Sequence, residues 1–178
     1  MKKAKWLVAA LMAACLVFVG CNNADDDDEE SSSTTLSGTY KITKGVISDD
    51  SGTSTISISG STITVVADGA SIVITKSGES YTATMNGVDS TASGTKVEET
   101  YKKLANTFNK TIAFSDGKAT WTDDEGSQEG TYTVSGNTAT VTIDGESKTA
   151  TTSDSWQTFV MSETDEDKTT TITFTKEA

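Results

Sequence analysis

Carboxylates are the most numerous charged groups in this sequence, and many of them fall in three short clusters. The clusters are Asp49-Asp50, then Asp123-Asp124-Glu125 with Glu129, and then Glu163 with Asp165, Glu166 and Asp167. Carboxylate oxygens suit calcium, but Trp121 occupies the first ligand position that the second cluster implies, and its twelfth position holds no Glu. Paired acids can also cleave glycosidic bonds, provided that an apolar cleft raises the pKa of one of them. We therefore interpret the clusters as solvated hairpin tips and predict no metal site.

The other residue types offer little for catalysis. The chain has no histidine, and all of its 14 basic residues are lysines. A serine nucleophile would therefore lack a histidine base. We expect neither an enzyme nor a cofactor. The formal charge of -12 and the missing arginine forks also argue against nucleic acid as a partner.

The N-terminal segment has the composition of an export signal. Lysines at positions 2, 3 and 5 precede an apolar stretch, residues 6–19, that is too short for a comfortable membrane span. The stretch ends at Gly20-Cys21, and a polar, acidic run follows at once. We therefore predict a signal peptide over residues 1–20.

Cys21 is the predicted modification site. The run Phe18-Val19-Gly20-Cys21 resembles the lipobox of bacterial lipoproteins, in which the cysteine becomes residue one of the mature protein. The resemblance implies diacylglycerol on the Cys21 sulfur and a further chain, such as palmitate, on the freed amine. Several acyl chains give lasting attachment, whereas one is marginal. Cleavage before Cys15 and an uncleaved signal anchor are the alternatives.

Residues 21–36 form the predicted tether between the anchor and the folded domain. Asn, Asp, Glu, Ser and Thr dominate it, and such a composition buries too little apolar surface to fold. The run from Asp25 to Glu30 resembles the acidic export signal of surface lipoproteins in the Bacteroidetes, and Asn22 fits sorting to the outer membrane. The resemblance implies a lipid anchor in the bacterial outer membrane, with the domain on the cell surface. A solvated spacer is the simpler interpretation of the run.

Residues 37–178 alternate apolar and polar side chains in short runs, which predicts about ten to twelve antiparallel strands. Turn pairs such as Asp68-Gly69, Asp116-Gly117 and Asp144-Gly145 separate the runs. The opposite parity is mostly Ser and Thr. Val66 and Val73 break the alternation, so we expect both faces of their strands to be covered. The predicted fold is all-β: a closed meander barrel or a barrel-like sandwich.

One helix is predicted within the β pattern, over residues 95–108. Its apolar positions (Val97, Tyr101, Leu104, Ala105 and Phe108) make a single stripe. Thr95 and Glu98 have the spacing of a capping box. We expect the stripe to pack as a lid on an open end or a face of the sheet. Membrane binding by the stripe is the alternative.

Large apolar side chains share the inward parity of these strands. They are Tyr40, Tyr81, Met85, Phe114, Trp121, Tyr132, Phe159, Met161 and Phe174. Small barrels are usually filled by their own side chains, but the wider end could hold a small hydrophobic ligand. The candidate ligand-binding residues are Tyr81, Met85, Phe114, Trp121, Tyr132, Phe159 and Met161. Trp156 falls off this parity, which predicts an exposed position near a rim, suited to a protein partner.

Two segments resemble lipocalin-like domains. Leu36 to Ile42 is similar to the opening strand of that family, with Tyr40 where the family has Trp, and residues 130–138 resemble its second half in small bacterial lipoproteins. The arginine that stacks on the family's Trp is missing, and Lys176 could partly substitute for it. The resemblance implies a barrel that binds a small hydrophobic ligand. The alternative function is a surface protein-interaction module, an adhesin or an enzyme inhibitor, that uses its hairpin loops.

Overall fold

The computed structural model describes residues 35–86 and 88–178. The predicted signal peptide, Cys15, Cys21 and the tether up to residue 34 lie outside these ranges. Within them the chain forms thirteen strands, one more than the largest number predicted, and one helix. The elements are β1 (Gly38–Asp49), β2 (Gly52–Ser59), β3 (Thr62–Ala67), β4 (Ala70–Ser77), β5 (Ser80–Met85), β6 (Val88–Ser93), α1 (Thr95–Phe108), β7 (Thr111–Ser115), β8 (Lys118–Asp123), β9 (Gly126–Ser135), β10 (Thr138–Ile143), β11 (Glu146–Thr151), β12 (Thr158–Asp165) and β13 (Lys168–Lys176).

Eight of the strands close into a barrel. Strands β7 to β13 pair in chain order, β7 pairs with β1, and β13 returns to pair with β1. All of these pairings are antiparallel. Each strand of the ring has a neighbour on both sides, although β11 and β12 pair at only two positions. Closure is how small meander barrels satisfy most of their backbone groups. The structure thus confirms the predicted all-β, lipocalin-like barrel.

The remaining strands form a second unit, the wing, which consists of β2–β6 and α1. The sheet branches at β1, because one edge of β1 pairs with β7 over Gly38–Lys41 and with β2 over Lys44–Asp49. The other edge of β1 pairs with β13 from Tyr40 to Ser48, with a register shift between Ile42 and Lys44. The wing is therefore an insertion between the first and second strands of the barrel.

The tight turns follow from the residues at their tips. In the turns after β3, β7 and β10, an Asp-Gly pair has positive φ at both residues, 50° and 76° for Asp68 and Gly69. Such values match the primed turns whose twist suits two-residue hairpins. The Asp-Gly pairs therefore form the tight turns that the sequence predicted.

The helix has the predicted bounds, but its start differs from the prediction. Gly94 is the N-cap residue, no side chain caps the helix, and the Gly94 carbonyl accepts bonds from the amides of Val97 and Glu98. The predicted capping box is therefore wrong, because Thr95 already lies inside the first turn. Glu98 instead pairs with Lys102, with the Lys Nζ 2.6 Å from the Glu Oε1. Within the described part of the chain, no helix is long and apolar enough to cross a membrane.

The helix lies on one face of the wing, which confirms the predicted packing on a sheet face. Buried Ile63, Ile74 and Tyr101 form the wing core. The barrel has its own larger core. The two cores line one continuous face, because Gly45 of β1 is paired with Ile172 in the barrel and with Ile56 in the wing.

Two predictions about single residues fail here. Leu36, assigned to the disordered tether, is 2% exposed and belongs to the barrel core. Leu36 comes directly after the polar run in the sequence, and its apolar side chain packs into the barrel core. Val66, expected to be covered on both sides, is 39% exposed, because α1 covers only the opposite face of β3.

Candidate functional site

One end of the barrel, the sealed end, is closed by Leu36, Tyr40, Tyr132 and Trp156. The Tyr40 hydroxyl donates to the carbonyl oxygen of Trp156, and the Tyr132 hydroxyl donates to the carbonyl oxygen of Leu36, each over 2.8 Å. Both bonds join segments distant in sequence. Burial, with the nearby Asp154 carboxylate, raises the pKa of Tyr40, so its hydroxyl keeps its proton and its role as donor.

Aromatic rings fill the barrel above this seal. Phe159 stacks on Phe174 with ring centroids 4.8 Å apart, and Tyr40 lies 5.1 Å from Phe159. Phe114 meets Tyr132 edge-on at 4.9 Å. Offset and edge-on pairs at these separations add to the stabilisation from burial. The middle of the barrel is therefore a packed aromatic core.

Trp156 is part of the seal and not of an exposed rim, so the prediction for it is wrong. It is 7% exposed, because the loop between β11 and β12 folds it under the barrel. Trp156 has a φ of 66°, and the Asp154 carboxylate accepts bonds from the amides of Gln157 and Thr158. Hydrogen bonds from Thr158 also hold the pKa of Asp154 below its usual value. The strand parity used for the prediction does not apply inside this loop.

Lys176, predicted as a partial substitute for an arginine, lies beside the Tyr40 ring. Its Nζ lies 5.9 Å from the centroid of the Tyr40 ring, within reach of a cation–π contact. A Cβ on Gly38 would lie 2.7 Å from the Cε of Lys176, so the lysine passes closely over the start of β1. Lys176 therefore covers the Tyr40 ring at the sealed end.

The other end, called the far end, carries the turns after β8, β10 and β12. There the indole nitrogen of Trp121 donates to Asp123 Oδ2 over 3.2 Å, and Asp123 Oδ1 accepts the amide of Glu125. Lys110 is only 5% exposed, with its Nζ 3.6 Å from Asp124 Oδ1. This second acidic cluster therefore fixes a tryptophan and a lysine at the far end.

Glu163 is the most unusual group at the far end. It shares the inward parity of Phe159 and Met161 on β12 and pairs with the buried Thr170 of β13. It is 5% exposed, and among the described residues neither carboxylate oxygen has a hydrogen-bond partner. Burial raises its pKa; Lys148 opposes that shift, whereas Asp165 and Glu146 add to it. Its assignment to a solvated hairpin tip is wrong, because the side chain turns into the barrel.

The predicted ligand-binding residues divide between the two units. Phe114, Trp121, Tyr132 and Phe159 share the barrel core, and Met161 packs against it. Tyr81 lies in the wing, where its ring is 5.2 Å from that of Tyr101. Met85 is 52% exposed, so the expectation that it points into a core is wrong. Both residues lie on β5, a strand of the wing. Alternation within a strand does not reveal whether that strand belongs to the barrel or to the wing.

Sequence reasoning missed three contributors to the two ends: Glu163, Trp156 and Lys110. The signal for Glu163 was present, because it continues the inward series of β12 by two residues. Lys110 and Trp156 lie outside regular strands, and no periodicity marks them. Comparison of the chain with protein-family models, with curated proteins and with solved structures finds no match.

Proposed function

We propose that the chain is a bacterial lipoprotein, anchored in the outer membrane through Cys21, whose barrel binds a small hydrophobic ligand and catalyses no reaction. The domain faces the cell surface. The ligand enters at the far end and rests on the aromatic core.

The observation that carries the proposal is the difference between the two ends of the barrel. Tyrosine–carbonyl bonds and the buried Trp156 close the sealed end. The far end has the half-buried, inward-facing Met161 and Ile143, together with an unsatisfied carboxylate. An apolar recess with a few placed polar groups is the usual form of a small-molecule site.

The ligand part is tested by titrating the full-length chain with N-phenylnaphthylamine and following the fluorescence of the probe and of tryptophan. We expect saturable uptake. Met161→Gln should weaken it by about tenfold, equivalent to 1.4 kcal/mol, since a polar amide replaces an apolar wall. Met85→Gln is the matched control in the wing and should leave the affinity unchanged. Equal effects of both variants, or no saturation, would contradict a barrel site.

The anchor is tested separately in cells. Metabolic labelling with a clickable palmitate should mark the wild-type chain and leave Cys21→Ala unlabelled. Protease treatment of intact cells should degrade the domain if it faces outward. If the Cys21→Ala variant is still labelled, the proposed lipid anchor at Cys21 is wrong, and the ligand proposal is unaffected.

A protein-interaction module is the second candidate, and one observation favours it. Ile72 and Met85 are directly paired on neighbouring wing strands and are 38% and 52% exposed. An exposed apolar pair beside a packed helix suits a protein contact. Capture of one host or rival enzyme by the wild-type chain but not by Ile72→Ser, without probe uptake, would favour this function.

A further inference from the structure

Glu163 is a buried acid in the wall of the barrel at its far end. Its register partner Thr170 and the next partner in that row, Ile47 of β1, lie on the same inner face. Met161 lies two residues back along β12 on that face, and pairs with Ala150 and Ile172. The carboxylate is therefore bordered by apolar side chains toward the core and by a threonine toward β13.

The Glu163 carboxylate is buried and lacks a hydrogen-bond donor in the part of the chain that the structure describes. Both oxygens are inaccessible, and no described residue donates a hydrogen bond to either of them. A buried charge without a partner costs several kcal/mol in typical proteins. A ligand that brings hydrogen-bond donors would remove that penalty, and part of the gain would appear as affinity.

The charges around Glu163 favour a cation. Burial is the main cause that raises the pKa of Glu163; of its charged neighbours, Lys148 lowers that pKa, and Asp165 and Glu146 raise it. The group therefore comprises three acids and one lysine. In the described ranges no ion pair joins Lys148 to Glu163. Calcium and magnesium usually need six or more oxygen ligands, which a single carboxylate and a hydroxyl do not supply. A protonated amine needs only a few acceptors.

The barrel wall is weakest beside Glu163. Strands β11 and β12 pair at only two positions among the described residues, Ala150 with Met161 and Thr151 with Val160. From there toward the far end, Glu146–Thr149 of β11 and Ser162–Asp165 of β12 have no register partners on each other. The carboxylate oxygens are inaccessible in this structure, so a ligand would reach them by parting the wall along this unpaired seam.

We propose that Glu163 and the β11–β12 seam form a recognition site for an amphipathic primary amine. The ammonium group donates to the Glu163 oxygens, and the alkyl chain lies along Met161 and Ile143 toward the aromatic core. The positive charge of Lys148, which acts on Glu163, repels a second cation or one bound in the wrong position. The inference rests on the proposed barrel site and names the class of its ligand.

The test compares three ligands that share one alkyl chain: decylamine, decanol and decanoate. Calorimetry on the full-length chain at physiological salt should find decylamine at least about tenfold tighter than decanol, since charge-assisted hydrogen bonds are the strong ones. Decanoate should be weakest, because like charges repel. Glu163→Gln should bring decylamine to the affinity of decanol and leave decanol unchanged.

Two further variants test whether the effect depends on the charge at this site or on the charge of the whole protein. Glu79→Gln removes one acid from an exposed turn of the wing and should leave decylamine binding unchanged. Lys148→Met should tighten decylamine binding by removing the competing cation. Thermal melting establishes that each variant is folded.

Failure of this inference is distinguishable from failure of the barrel site. If decanol and decylamine bind equally, or if Glu163→Gln retains the preference for the amine, the amine site is wrong and the hydrophobic site stands. If none of the three ligands binds and the fluorescent probe does not saturate, both proposals fall, and Glu163 is a buried, protonated acid.

Discussion

The barrel and the wing use the same kind of strand but cover their apolar faces in different ways. The barrel wraps its inner face around itself, so Tyr40, Phe159 and Phe174 are each 1% exposed. The wing is an open sheet and relies on α1, which reaches Ile63 and Ile74 but leaves Ile72 38% exposed. Closure buries a face completely, whereas a single helix covers only the width it crosses.

The two units are joined through β1, which pairs with strands of both, and through a close side-chain contact. Phe108, the last residue of α1, belongs to the barrel core, and a Cβ on Gly45 would lie 3.3 Å from its ring. Glycine at this position lets the ring approach β1 closely where the sheet branches. The helix is thus anchored in the barrel while it covers the wing.

The largest expected effect is in the barrel core. Phe159→Ala should lower the free energy of unfolding by about 3–5 kcal/mol, the usual cost of deleting a buried phenylalanine. Phe159 contacts four other aromatic rings, and closed strands cannot collapse into the gap. Urea unfolding followed by tryptophan fluorescence measures it, since Trp121 and Trp156 both lie in the barrel. A loss below 1 kcal/mol would contradict the packed core.

The matched change in the wing is Ile63→Ala. Ile63 is 0% exposed, and we expect a loss of about 2–5 kcal/mol, toward the lower value because α1 can settle into the space. Hydrogen exchange should show faster opening in β3 and β4 with little change in β9 and β10. Equal acceleration in all four strands would mean that the barrel and the wing unfold as one unit.

Glu163→Gln should make stability less dependent on pH. Burial raises the pKa of Glu163 in the folded state, so the native chain holds this proton above the pH at which the unfolded chain releases it. The free energy of unfolding of the wild type therefore falls as pH rises through that window. The variant should be more stable by about 1–3 kcal/mol at neutral pH and equal to the wild type at low pH. Urea midpoints from pH 3 to 8 measure this difference. A difference that does not change with pH would contradict a raised pKa for Glu163 in the folded state.

Each hydrogen bond at the sealed end contributes less to the free energy of unfolding than a buried side chain of the barrel core. Tyr40→Phe removes the donor to the Trp156 carbonyl and should cost about 1–2 kcal/mol, because the acceptor stays buried. Tyr81→Phe in the wing is the control and should cost less, since its ring contact with Tyr101 is kept. A red shift of tryptophan emission in Tyr40→Phe would show that Trp156 has loosened.

The smallest effect belongs to the uncovered part of the wing. Met85→Gln should change the free energy of unfolding by less than about 0.5 kcal/mol, as is usual for exposed side chains. Met85 is 52% exposed, so little apolar contact is lost. Thermal melting beside the wild type measures it. A loss above 1 kcal/mol would show that this face is covered in solution.

The sequence by itself determined the strands, the helix bounds and the turns, because these depend on local alternation, on a helical stripe and on Asp-Gly pairs. It also placed Phe114, Trp121, Tyr132 and Phe159 in one interior, since their parity is local. The tertiary structure alone decided that the sheet branches at β1, which removes Tyr81 and Met85 from the barrel. It also decided that Trp156 seals one end and that Glu163 is buried at the other. These outcomes depend on which distant strands pair, and spacing along the chain does not encode that choice.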